Sequence, residues 1–79
     1  MASNRQRIID YHISRLSDKR TEVRLETIQE LVLMNATEAL EALHHVYETD
    51  IDETVKRAAQ RAGRVLYQHK VANNSTNNS

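Results

Sequence analysis

Cysteine, proline, phenylalanine and tryptophan are all missing from this 79-residue chain, and glycine occurs once. Without cysteine there are no disulfides, no thiolate metal ligands and no thiol nucleophile. Without proline, little interrupts a helix. Aromatic residues are reduced to three tyrosines, so strand-forming chemistry is scarce, whereas Ala, Leu, Glu, Arg and Gln, all helix formers, are plentiful. The expected class is all-α. Neither sign of charge is in excess: 11 Lys and Arg balance 11 Asp and Glu, so no global field draws the chain to nucleic acid or to an anionic membrane. No apolar run is long enough for a membrane span, and the polar start Met1-Ala2-Ser3-Asn4-Arg5 is no secretory leader core. A cytoplasmic address is the expectation. A chain of this size buries only roughly 60% of the surface its unfolded form exposes. One small domain follows, in which any surface covered by a partner would be a large share of stability.

What the chain does have is a segment that occurs twice. Asp18-Lys19-Arg20-Thr21-Glu22-Val23-Arg24 returns as Asp50-Ile51-Asp52-Glu53-Thr54-Val55-Lys56, with the same interval from Asp to Val and a basic residue after each Val. A period of about 30 residues is the mark of modules that stack because none can bury its own apolar face. Periodicity predicts a first helix from about Asn4 to Leu16, capped by Ser3 or Asn4, with Ile9, Ile13 and Leu16 on one face. A second, from Thr21 to Met34, is apolar on two sides (Val23, Thr27, Leu31 and Met34; Leu25, Ile28 and Val32) and therefore packed on two sides. Asn35 suits a left-handed helix end and Thr37 a new cap. The third helix, Glu38 to Glu48, points Leu40, Leu43, Val46 and Tyr47 inward. The fourth, Glu53 to Lys70, starts at Asp52 as N-cap and uses Val55, Ala58, Ala59, Ala62, Val65 and Leu66. Gly63 is expected to allow a close helix approach. Residues 71–79, rich in Asn and Ser, are expected to be disordered. The first helices align best with one residue less, Ile9 on Leu40 and Leu16 on Tyr47.

An amphipathic helix, an Asp, a short turn, Val with a basic residue and a helix with small residues resembles the HEAT repeat, most nearly the short HEAT-like repeats named after phycobilisome lyases. The resemblance covers about Ile8 to Leu66 and is better in the second unit, Leu40-Glu41-Ala42-Leu43 to Val55-Lys56-Arg57-Ala58-Ala59. The first unit departs from it at Arg20, where a capping residue is usual, and at Thr27 and Glu30, which replace small apolar residues. The resemblance implies two antiparallel helix pairs, residues 4–34 and 37–70, stacked as a short right-handed α-solenoid of four helices in a single domain. It also implies a ladder between repeats, in which Asp18 would meet Lys56; both could equally be solvated turn charges.

Arg57, Arg61 and Arg64 recur on one face of the last helix and suit a carboxylate-rich partner or a phosphate backbone; a solvated outer face gives the same pattern. Glu22, Glu26 and Glu30 form an acidic stripe on the equivalent helix, which suggests head-to-tail association of copies or pairing within one copy. Tyr11, between Arg7 and Arg15 on one stripe, is a candidate interface anchor. Neighbouring His44 and His45 point to different sides of a helix and cannot share a metal. The run from Asp50 lacks the glycine and the closing glutamate of a calcium loop. No catalytic, metal or cofactor constellation emerges, and an enzyme is not expected. The functional expectation is a protein-binding scaffold, whose partner is another protein or a second copy. A small accessory subunit of a phycobilin-lyase-like assembly is the alternative, and a weak nucleic-acid binder using the basic stripe is the further one.

Overall fold

A computed structural model describes residues 3–77. The chain forms α1 (Asn4–Arg15), α2 (Thr21–Leu33), a 3-10 turn (Thr37–Ala39), α3 (Leu40–Thr49) and α4 (Glu53–Asn77), with no strand among the described residues. The ends of these helices follow from local chemistry. Ser3 caps α1, its Oγ accepting the Gln6 N–H at 3.1 Å, and Asp52 caps α4 by accepting the N–H groups of Thr54 and Val55. Asn35 takes the left-handed conformation, φ 51°. The Ala36 N–H then reaches the Leu31 carbonyl and the Asn35 N–H that of Val32, which closes the end of α2. Arg5 of α1 adds hydrogen bonds to the Met34 and Asn35 carbonyls and an ion pair with Glu38.

α1 packs on α2 and α3 on α4, and the contact of α2 with α4 joins the two pairs. One core runs through all of them, with Ile9, Ile28, Leu31, Leu43, Val55, Ala59 and Leu66 at its centre. Thr27 is fully buried and donates its hydroxyl hydrogen to the Val23 carbonyl, so the polar atom is satisfied within its own helix.

A buried ion pair ties the pairs in register. Arg24 Nε and Nη2 donate to the two carboxylate oxygens of Asp50, at 2.8 and 3.1 Å; Nη1 donates to the carbonyls of Asp18 and Lys19, and Nη2 also reaches Thr21 Oγ1 at 3.4 Å. All five guanidinium N–H groups are thereby engaged. The two side chains keep 10% and 7% of their exposure.

Several expectations are corrected. The inter-pair ladder is Arg24 with Asp50, not Asp18 with Lys56: Asp18 is held by Arg20 at 3.1 Å and Lys56 by Glu53 at 3.6 Å. The basic residue of the first unit meets the acid of the second, the reverse of the expected direction. α4 runs to Asn77, past the expected end at Lys70; positions 78 and 79 lie outside the described residues. Thr37 makes no capping hydrogen bond, since a 3-10 turn carries the chain into α3. Tyr47 sits at the rim of the core, 37% exposed, not within it.

Two outcomes follow. Asp50→Ala strands a buried guanidinium and is expected to cost about 3–5 kcal/mol in urea or thermal unfolding, whereas Arg24→Met with Asp50→Leu costs much less. Two carboxyls are held below their ordinary values. The Arg20 side-chain and backbone hydrogen bonds hold Asp18 at about 2, below 3.8. Glu38 is lowered from 4.5, first by its own backbone N–H and then by Arg5. Both folded-state values are depressed, so their stabilisation is complete above the unfolded values and is lost as pH falls through the folded ones. Unfolding measured from neutral pH down through 4.5 and 3.8 should fall less steeply in Glu38→Gln than in the parent chain.

Candidate functional site

The repeat assigns each residue of the second helix pair a counterpart in the first. The offset that takes Asp18 to Asp50 also takes Arg24 to Lys56, Thr27 to Ala59, Ile28 to Gln60 and Leu31 to Gly63. With one residue less, Ile9 maps to Leu40, Ile13 to His44 and Leu16 to Tyr47. In the first pair, Ile9, Leu16, Arg24, Thr27, Ile28 and Leu31 are all buried. In the second pair Ala59, the counterpart of Thr27, stays buried, but no further helix covers the rest of that face among the described residues. Leu40, Gln60 and Gly63 are half-buried, and His44 and Tyr47 are exposed.

These uncovered residues line a groove of about 380 Å³ between α3 and α4, with Leu40, His44 and Tyr47 on one wall and Gln60, Arg64 and Tyr67 on the other. Ala59 and Gly63 contribute to its α4 side. A Cβ added at Gly63 would meet no heavy atom within 4 Å. The expected role of Gly63 in close helix packing is therefore corrected: its missing side chain leaves groove volume open. Tyr67, 60% exposed, was not singled out by periodicity because it lies beyond the last buried residue of α4. Its spacing of four from Gly63 on a helix was the available signal. His44 stands 3.5 Å from Glu48 and its ring 6.3 Å from that of Tyr47.

The basic stripe runs beside this groove. Arg57, Arg61 and Arg64 are exposed, and none enters an ion pair or side-chain hydrogen bond among the described residues. Arg64 edges the α3–α4 groove, while Arg61 edges a second groove between α2 and α4, lined also by Leu25, Ile28, Gln29, Val32, Ala58, Ala62 and Val65. At the other end of the molecule the structure brings Tyr11 and Arg15 together, the guanidinium 5.7 Å from the ring centre. Arg7 is exposed and joins no such contact. Glu30 stands 3.2 Å from His12 Nδ1 and 3.9 Å from Arg15. The His12 contact is close enough for charge attraction but not aligned as a hydrogen bond, and the ring nitrogen has no other partner. Among the described residues no group of three His, Asp or Glu could hold a metal ion, and no helix is long and apolar enough to cross a membrane.

Compared with known proteins, the chain matches no family model, no curated protein and no solved structure.

Gly63→Ala should raise stability by about 0.5–1 kcal/mol, since helix propensity improves and nothing is displaced. Chemical denaturation of the two proteins side by side reads this directly; a loss of stability would mean that the groove floor is occupied by neighbouring atoms.

Proposed function

We propose that the chain is a non-enzymatic, HEAT-like scaffold module that binds protein through the α3–α4 groove. The observation that carries this reading is the contrast between the two helix pairs. Ile9, Leu16 and Leu31, buried in the first pair, correspond to Leu40, Tyr47 and Gly63, which are open in the second and line the groove together with Tyr67. A trough between two packed helices accepts the ridge of a third helix, whose side chains seat at spacings of three and four. Tyrosine suits such a site because a rigid, amphipathic ring buries a large area at small entropic cost. Arg64 at the edge of the groove favours an acidic flank on the incoming helix.

The α3–α4 groove holds none of the groups whose protonation is displaced. The groups whose protonation is displaced are Asp18, Arg20 and Glu38, and each is held by a hydrogen bond at a turn or helix start, away from the groove.

Helical peptides selected by display against the purified chain test this reading. Binders should perturb the backbone resonances of Leu40, Tyr47, Gly63 and Tyr67, and Gly63→Ile, which fills the floor, should weaken them at least about tenfold. Binders that map to α1 or to the α2–α4 groove, or that tolerate Gly63→Ile, would sink the proposal.

A further inference from the structure

We infer that the α3–α4 face is covered by the α1–α2 end of a second copy of this chain, stacked head to tail. The inference rests on the groove being a docking face and names its occupant. The contact between the two helix pairs of one molecule supplies the template. In it, Arg24 of the first pair forks onto Asp50 of the second. Applied once more, the same repeat step sets Lys56 of one copy against Asp18 of the next. Both are now held by local partners, Glu53 and Arg20. The outer partners Arg20 and Glu53 are largely exposed, and pairs of this kind contribute about 0–1 kcal/mol, so Asp18 and Lys56 can exchange partners at small cost.

The template also predicts the charges along the shared helices. Within the molecule, Leu25, Ile28, Gln29 and Val32 of α2 share a groove with Ala58 and Ala62 of α4. One repeat further, the α2 positions become Arg57, Gln60, Arg61 and Arg64, and the α4 positions become Glu26 and Glu30 of the next copy. Three arginines thus face two glutamates at positions where the intramolecular joint is mostly apolar. The three arginines and Glu26 have no ion-pair partner among the described residues, and all four are exposed. One set of residues therefore leaves opposite charges uncompensated on the two faces that the repeat would bring together. This complementarity selects a second copy over an unrelated helix. Because the two faces differ, the contact is heterologous and does not close at a dimer.

Light scattering of the full chain across a dilution series tests this. Average mass should rise from 9.1 kDa past that of a dimer as concentration increases, and should fall as added salt shortens the screening length from about 8 Å. Arg61→Glu alone and Glu26→Arg alone should each weaken association about tenfold, and the double variant should regain most of it. Circular dichroism should show the parent fold in all three, since neither side chain is engaged. A mass of 9.1 kDa up to about 1 mM, or association indifferent to both swaps, would overturn the inference. The peptide-binding test above is read on that same monomer, so the groove's role as a docking face would stand or fall separately.

Discussion

The guanidinium of Arg24 is the constraint on which the arrangement of the helices depends. A buried charge is costly unless every donor is met. Here the donors draw on the carbonyls that end the α1–α2 turn, on Thr21 at the start of α2 and on the carboxylate of Asp50 between α3 and α4. Sliding one helix pair against the other would break several of these at once. Hydrophobic contacts are less demanding, since an alternative packing of Leu and Ile exchanges one apolar neighbour for another. The buried pair therefore contributes register more than net free energy. The Asp50 carboxylate also accepts the Asp52 N–H, which places Asp52 to cap α4. One residue thus fixes both the joint between pairs and the start of the last helix. Lysine, with a point charge on a flexible stem, could not make this fork. Its presence at the equivalent position 56 fits a contact made in water and held by charge alone.

Much of this was legible in the sequence because it is local. The Asp–Val–basic repeat, the polar breaks, the left-handed Asn35 and the Asp52 cap each depend on a few consecutive residues. The apolar stripes of α2 correctly placed Val23, Thr27, Ile28 and Leu31 inside. The direction of the ladder was not legible. A repeat that contains one acid and one base is equally consistent with the base reaching forward or the acid reaching forward, and only the offset of the pairs in space decides it. Tyr47 misled for a related reason. It occupies the position of Leu16, which is buried, but among the described residues no further helix packs over Tyr47. The groove is that difference expressed as a surface, so it emerged from comparing the two units rather than from reading either one.

The two ends of the molecule are not equivalent, and the reason lies in single substitutions between the repeats. Where the second unit has Ala58 and Ala62, the first has Glu26 and Glu30, and Glu30 is drawn towards His12 and Arg15. That end is polar and charged. Where the first unit has Ile28 and Leu31, the second has Gln60 and Gly63, and that end is a trough with tyrosines at its rim. Stacked modules ordinarily finish on polar terminal units, which keep an unpaired face soluble. The first end meets that requirement by charge. The second meets it only in part, since Gln60 and Arg64 flank a floor that remains apolar.

Size gives this asymmetry its weight. A folded unit this small has little surplus stability. Anything that binds the native state and not the unfolded chain adds RT ln(1 + [L]/Kd) to stability, about 2.7 kcal/mol at a hundredfold excess over Kd. For a domain holding on the order of 5 kcal/mol, that increment amounts to about half of the total. Covering the α3–α4 face is therefore a folding contribution as well as a recognition event. The apolar surface left open on the second unit is costly in water, and a partner that covered it would relieve that cost. Affinity and fold stability are linked through one surface: a change that fills the groove strengthens the isolated chain while weakening its reason to associate.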